Sequence, residues 1–396
     1  MGSRLLKKTP SSLPGPHFEP GLPDPLAMSR HRSTPLEACP PKLEFPGTKP
    51  LLSTRGRRLL CGKFLKDAAG FRGEPESLAI PHSEAQIATL LQKANWDRTP
   101  LVVVGGGTAL TGSSVAHKGI VVSTDSLNRL LQIEKTPDGS GTAVVEPGVS
   151  LGQFLEKVKG KNLFYLPGPT DKRAFFGGMV STNAAGAPSF RYGRTGRWVR
   201  RLRLALPVPN RKGEISVLNI ERGKHFSNRK GEFEITLLGG ERLVIPSRTY
   251  RHPAVKHTGG YASGTSLDLI DLFIGSEGTL GIVTEIELTL LDRKGKEDLL
   301  SGFIFFPKVR EALRLIQHIK HSPLHTVRTL EFFDRHALSF LRNFFSEIPL
   351  EGEAALFFEE EIAPQREREK REGWVQLLRR YGVSPEPVGI SWFSGC

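Results

Sequence analysis

Two glycine-rich segments hold the residues whose types and spacing point most clearly to chemistry. They read GGGTALTGSS at 105–114 and FFGGMVSTNAAG at 175–186. Glycine lets the backbone approach a ligand closely, and Thr and Asn add short hydrogen-bonding groups. The first segment follows the apolar run LVVV, a predicted buried strand, so its amide groups can converge on a phosphate at the strand's carboxyl end. Each segment taken alone is equally consistent with a loop that merely turns.

Known nucleotide motifs do not account for the first segment. It matches neither the GxGxxG fingerprint nor the GxxxxGK[ST] phosphate loop, because no lysine follows its glycines. A third segment, DLFIGSEGTLGIVTEIE at 271–287, adds further glycines just before an alternating strand pattern. Several loops that press backbone onto one ligand suit a long, phosphate-bearing cofactor better than a small metabolite.

The elements that must position these loops alternate between helix and strand. Capping boxes at Ser83/Gln86 and Ser150/Gln153 each precede an apolar helical stripe. Strands are predicted at 101–104, at 119–122 and, from strict alternation, at 284–291. Residues 232–246 predict two strands joined at Gly239-Gly240. The pattern indicates an α+β protein.

Composition predicts three regions along the 396 residues. Residues 1–64 form a proline-rich lead-in, expected to be disordered, since 11 of the 29 prolines lie in the first 50 residues. Its basic start is similar to a transit peptide, and Met28 is an alternative start site. A cofactor domain is predicted at 65–291, with order beginning near 75, and an incomplete second domain at 298–396.

Charge and cysteine content narrow the function classes. The formal charge of +14 favours anionic partners. The stretch 191–212 carries eight basic residues and no acid, but only two aromatic residues, so no nucleic acid is expected there. Three scattered cysteines predict a reducing, cytoplasmic location without a structural metal. No transmembrane segment is expected, and peripheral membrane association stays open.

The order of GGGTALTG, PGPTDKRAFFGGMVSTNAAG with RYG, and DLIDLFIGSEGTLGIVTE resembles vanillyl-alcohol oxidase-type flavoproteins. It is most similar to their D-lactate dehydrogenase and glycolate oxidase subunit group, over roughly residues 65–335. The resemblance implies a two-subdomain FAD-binding domain of the PCMH type, followed by a partial α+β substrate (cap) domain. It places FAD along Gly105, Gly106, Gly107, Thr108, Gly112, Gly177, Gly178, Thr182, Asn183, Ala184, Gly186, Gly193, Gly281 and Ile282.

The resemblance further implies oxidation of a small D-2-hydroxy acid, lactate-like or glycolate-like, by hydride transfer to flavin; the electron acceptor is unknown. Lys256 and Tyr261, in KHTGGY, fall in a stretch that faces the flavin in such proteins and are the catalytic candidates. The family's catalytic histidine segment is absent from this chain, Val104 stands where an arginine is usual, and the 232–246 hairpin is an apparent insertion. A catalytically incomplete FAD-binding fragment or pseudoenzyme is therefore the alternative, and an anion-binding or nucleic-acid-binding protein is a remote one.

Overall fold

A computed structural model describes residues 62–210, 212–237, 240–247, 250–293, 298–321, 326–346 and 348–381, and the backbone of 390–394. The predicted disordered lead-in lies almost wholly outside these residues. Its last part, 62–64, is described, and Phe64 is fully buried beside Leu78 and Val104. Packing thus begins before residue 75, where order was expected to begin. The short stretch 62–73 lacks the periodicity that would have revealed it.

A small parallel sheet opens the described chain. It contains β1 (Ser77–Ala79), α1 (Glu84–Asp97), β2 (Leu101–Val104) and β3 (Ile120–Ser123), with strand order β1-β3-β2. The Ser83 half of the predicted capping box is present, since Gln86 N donates to Ser83 Oγ, whereas Gln86 Oε1 accepts from His82 N, one residue before the N-cap. The apolar stripe of α1 is buried against this sheet. Strands of this kind carry ligands beyond their carboxyl ends.

A larger antiparallel sheet follows. Its elements are β4 (Leu130–Lys135), β5 (Gly141–Val145), α2 (Leu151–Lys159), β6 (Leu163–Phe164), α3 (Phe176–Ser181), α4 (Ser189–Tyr192), β7 (Val199–Pro209), β8 (Ile215–Glu221), β9 (Glu232–Thr236), β10 (Arg242–Pro246), α5 (Leu269–Phe273) and β11 (Ile282–Asp292). The order is β4-β5-β11-β7-β8, with β6 also paired to β11, and β9 and β10 form the predicted separate hairpin. Ile286, Leu288 and Leu290 are fully buried, which confirms the alternating strand.

The last described part is a four-stranded antiparallel sheet with three helices packed on it. It comprises β12 (Asp298–Phe306), α6 (Val309–His321), β13 (Val327–Asp334), α7 (Arg335–Leu341), β14 (Ala354–Ile362), α8 (Glu367–Arg380) and β15 (Ile390–Ser394), in the order β13-β14-β12-β15. Trp374 of α8 stacks on Phe358 of β14 at 4.0 Å between ring centroids. This sheet has its own hydrophobic core, while the domain boundaries themselves stay a prediction.

A buried carboxylate ties α8 to this sheet. Burial alone raises the pKa of Glu360, but its hydrogen bonds with Lys370, with the Thr326 backbone and with Trp374 outweigh burial and hold the pKa below its usual value. A paired, hydrogen-bonded charge of this kind is the usual condition under which a glutamate is buried. Glu360 therefore remains ionised inside the second core.

The described residues bear on two possible roles, membrane spanning and metal binding. No helix in the described part of the chain has the length and apolar character needed to cross a bilayer. Within the same residues, no group of three or more His, Cys, Asp or Glu side chains is arranged to hold a metal ion.

Candidate cofactor site

A cleft lies where the two sheets of the first part meet. Its walls come from the turn after β2, from Thr124 after β3, from α3 and its flanks, and from the residues that lead into β11. The three glycine-rich segments of the sequence thus converge on one cavity. The lining residues belong to all three segments, so a ligand that contacts every wall of the cleft must be an extended molecule.

Most of the predicted cofactor residues line this cleft. They are Gly105, Gly106, Gly107, Thr108, Gly177, Gly178, Thr182, Ala184, Gly281 and Ile282. The other four, Gly112, Asn183, Gly186 and Gly193, are not among its lining residues. The first group comes from all three motifs, so the structure brings together segments that are distant in sequence.

Asn183 lies just after α3 and stabilises the backbone there. It takes the left-handed conformation at φ 48°, which short polar side chains tolerate, and its Oδ1 accepts a hydrogen bond from Gly196 N at 3.0 Å. The same helix end receives the third motif, because Gly275 N donates to Val180 O and Glu277 N donates to Ser181 O. Carbonyl groups at the end of α3 are thereby satisfied.

The Gly105–Gly112 loop is held from outside the motif by Asp67. This carboxylate is 4% exposed; Oδ1 accepts from Ala69 N and Phe71 N, and Oδ2 accepts from Gly112 N at 2.8 Å. Gly112 therefore contributes to the loop's anchorage. Sequence reasoning missed Asp67, since no local pattern links it to a loop that lies so far along the chain.

The glycines of the cleft serve two different purposes. A Cβ on Gly106 would lie 2.2 Å from Arg173 O, so this glycine allows two backbone segments to touch. A Cβ on Gly178 would meet no protein atom within 4 Å, although the position lines the cleft. Gly178 therefore leaves open space toward the cavity, as expected where a ligand lies against the backbone.

Two hydroxyl groups support the fit to a polar ligand. Thr124 Oγ1 and Ser114 Oγ are buried, line the cleft and have no hydrogen-bond partner among the described residues. Buried hydroxyls are normally hydrogen-bonded, so partners from a ligand are expected. Thr124 belongs to none of the sequence motifs. The only sequence signal for it is its position directly after a buried parallel strand. The cleft combines hydroxyl donors, close backbone and apolar walls, and these fit the phosphates, ribose and rings of FAD.

The two catalytic candidates lie apart from each other. Lys256 is exposed, donates to Ser189 Oγ at 3.2 Å and lines a second cavity with Arg194, Gly186 and Lys320. Tyr261 lines neither cavity, and its hydroxyl shares a hydrogen bond of 2.6 Å with Thr279 Oγ1. The structure therefore brings Lys256 into one cavity with three further cations, Arg191, Arg194 and Lys320, and with the carboxylate of Glu331, but does not bring Tyr261 to it.

The basic stretch 191–212 is largely engaged by carboxylates of the same chain. Arg201 pairs with Glu285 and Glu287 of the neighbouring strand, and Arg203 pairs with Glu84 at 2.6 and 2.7 Å. Pairs of this kind stabilise the sheet and its contact with α1. The nucleic-acid alternative thus gains no support from this stretch.

Comparisons with known proteins point in the same direction. Residues 75–210 match the family model described as FAD binding domain. The chain is 30% identical over 225 residues to D-2-hydroxyglutarate dehydrogenase of Stutzerimonas stutzeri, covering 56% of this chain and 38% of that protein. It is 27% identical over 295 residues to glycolate oxidase subunit GlcD of Bacillus subtilis, covering 74% and 52%. The chain thus spans about half or less of the length of these relatives.

A solved structure shares the fold. The chain superposes on alkyldihydroxyacetonephosphate synthase with a TM-score of 0.56 at 15% identity, covering 85% of this chain and 58% of that one. The matched family model gives the cofactor as FAD, and the lining of the cleft fits it. Residues 75–210 of this chain are therefore similar to an FAD-binding domain.

Proposed function

We propose that this chain is the flavin-binding part of an oxidoreductase that converts a D-2-hydroxy acid to the corresponding 2-oxo acid. The observation that carries the proposal is the convergence of three glycine-rich segments on one cleft in an FAD-binding domain. The relatives are named for D-2-hydroxyglutarate, glycolate and D-lactate, which all carry a hydroxyl group beside a carboxylate. When bound, FAD supplies a hydride acceptor for such a carbon atom.

The second cavity supports the substrate class. It shares the segment 184–186 with the cofactor cleft, since Ala184 lines one and Gly186 the other. Four cations line it together with the carboxylate of Glu331 and with apolar residues of α6 and β13; the cations are Arg191, Arg194, Lys256 and Lys320. Cationic donors beside apolar walls suit a small carboxylate. In this proposal Lys256 holds the substrate carboxylate and keeps the hydroxyl-bearing carbon near the cofactor cleft.

The residue that takes the hydroxyl proton is not assigned by this arrangement. Tyr261, the other candidate, is bonded to Thr279 and lies outside both cavities. The second candidate function is therefore an FAD-binding unit without turnover, which the position of Tyr261 outside both cavities favours. The cytoplasmic location remains a prediction from the cysteine pattern.

An absorbance experiment separates these functions. The purified full chain, reconstituted with FAD, is mixed anaerobically with D-lactate, glycolate or D-2-hydroxyglutarate, with the L-enantiomers of the chiral acids as controls. Bleaching of the flavin bands by a D-acid supports oxidation. Bound flavin that no acid bleaches favours the unit without turnover, and a folded chain that binds no flavin overturns both.

Lys256→Met tests the substrate cavity. Loss of one carboxylate contact should weaken substrate binding about 10-fold or more, measured as the acid concentration that half-bleaches the flavin. If no acid bleaches, the perturbation of the flavin spectrum by oxalate replaces this readout. Lys224→Met, which removes an exposed lysine outside both cavities, is the control. Equal affinities in the two variants would contradict the role of Lys256.

A further inference from the structure

Lys63 lies beside the first glycine segment of the cofactor cleft, although it is not itself a lining residue and precedes every predicted motif. Its Nζ donates to Asp125 Oδ1 at 2.6 Å and to Gly105 O at 3.4 Å. Its Nζ also lies 5.3 Å from the ring centre of Phe175, a lining residue of the cleft that packs beside Gly105. One ammonium group therefore joins the first glycine segment, the end of β3 and the start of the second glycine segment.

The charge of the residues that line the cleft explains why a cation beside it matters. Among the described residues that line it, none is Lys, Arg or His, and Glu277 is a carboxylate. A dinucleotide brings two phosphate charges into this space, and an anion away from bulk water requires a nearby opposite charge or hydrogen-bond donors. Lys63, with its side chain 20% exposed, is held against the loop that the sequence predicts for the phosphates.

The lysine is fixed in place by its surroundings. Asp125 is itself oriented by Ser123, whose Oγ donates to Oδ2 at 2.8 Å and accepts from Asp125 N. The stem of Lys63 lies on the glycine loop, since a Cβ on Gly107 would come within 3.0 Å of Lys63 Cβ. Holding a long side chain in one geometry lowers the entropy that ligand binding would otherwise remove.

We infer that Lys63 is the counter-charge for the diphosphate of the cofactor, and that Asp125 positions it while partly neutralising it. The inference rests on the proposed function only in taking FAD as the ligand. A purely structural ion pair makes a different prediction. If the ion pair only braced the loop, loss of either charge would weaken FAD binding. A counter-charge instead requires the lysine, and Asp125→Asn keeps an oxygen that accepts its hydrogen bond while removing the competing charge.

The experiment compares Lys63→Met, Lys63→Arg and Asp125→Asn in the full chain stripped of flavin. FAD affinity is measured by quenching of flavin fluorescence between 50 mM and 500 mM NaCl. Lys63→Met should bind FAD about 10- to 100-fold more weakly and with less dependence on salt. Lys63→Arg should stay within about threefold of wild type, and Asp125→Asn should bind equally well or more tightly.

Two controls separate an effect on cofactor binding from a general effect of losing a lysine and from unfolding. Lys135→Met removes the lysine of another Lys–Asp pair, bonded to Asp292 at 3.2 Å and outside the cleft, and should leave FAD affinity unchanged. Thermal melts report folding, and if Lys63→Met unfolds, Lys63→Gln and Asp125→Asn carry the test. The inference about Lys63 would be wrong if Lys63→Met kept wild-type affinity and salt dependence, or if Asp125→Asn bound FAD more weakly. The proposed function would not be affected by either result. A wild-type chain that binds no FAD would instead overturn the proposed function.

Discussion

Gly178 distinguishes space kept for a ligand from space kept for packing. It lies within α3, where alanine is favoured over glycine by about 1 kcal/mol, and a methyl group there would meet no protein atom. Gly178→Ala should therefore leave the free energy of unfolding unchanged or raise it by up to about 1 kcal/mol. The same methyl group projects toward the cleft, so FAD affinity should fall about 10-fold.

Gly373→Ala in α8 is the matched control, because this glycine is also helical and has no protein atom within 4 Å of an added Cβ. It should gain stability in the same way and bind FAD as the wild type does. Denaturant unfolding and flavin titration of both variants check the prediction. Equal FAD affinity in the two variants would mean that the space at Gly178 is not occupied by the cofactor.

Local motifs predicted most of the single residues at the cleft, although four motif residues do not line it: Gly112, Asn183, Gly186 and Gly193. The contacts of Gly105, Gly178 and Thr182 with the cleft follow from glycine and hydroxyl patterns that can be read in the sequence. Lys63 and Asp67 could not be found in this way, because their partners lie far along the chain. Their roles depend on the packing that brings the segments together.

At the level of elements, α1 joins the two sheets of the FAD-binding domain. Its apolar face packs on the parallel sheet, while Glu84 at its first turn accepts two hydrogen bonds from Arg203 of β7 and one from Thr284 of β11. Burial raises the pKa of Glu84, but the hydrogen bonds with Arg203 and Thr284 and the Arg203 charge outweigh it, so the net pKa lies below the usual value. The capping pattern in the sequence predicts the helix, whereas no local pattern predicts its contact with β7 and β11.

Glu84→Gln tests the contact between α1 and strands β7 and β11. Loss of the charge-assisted hydrogen bonds should lower the free energy of unfolding by about 1.5–3 kcal/mol at pH 7. Because the folded pKa of Glu84 is depressed, its contribution is complete above the ordinary value of 4.5 and is lost as pH falls through the folded pKa. The difference between Glu84→Gln and wild type should therefore shrink below about pH 4.

Urea unfolding at pH 7 and in mild acid measures both effects. Glu76→Gln, which alters an exposed carboxylate just before β1, should change stability by less than about 0.5 kcal/mol at either pH. A stability loss in Glu84→Gln that stays the same in acid would show that the effect comes from packing and not from the charge.

On the scale of the whole molecule, one carboxylate of the last sheet contacts the FAD-binding domain. Glu361 of β14 accepts hydrogen bonds from Tyr192 Oη and from Arg191 Nη1 of α4, and Arg191 also donates to Thr326 O. Burial and the bond to Glu361 raise the pKa of Tyr192, so its hydroxyl stays protonated. The order of helices and strands predicts two cores from sequence, but this contact joins segments whose local patterns carry no sign of each other.

Glu361→Ala should loosen the contact while both cores persist, since each core is built from its own buried side chains. Without its carboxylate partner, α4 and the facing edge of β13 open more often, and amide hydrogen exchange in 189–193 and 326–334 should accelerate about 10-fold or more, while 101–124 stays unchanged. Glu359→Ala removes a carboxylate bonded to Arg328 and Thr329 within the last sheet, so its effect should stay within 326–334. Unchanged exchange at 189–193 in Glu361→Ala would show that apolar packing, and not this carboxylate, holds α4 against β13.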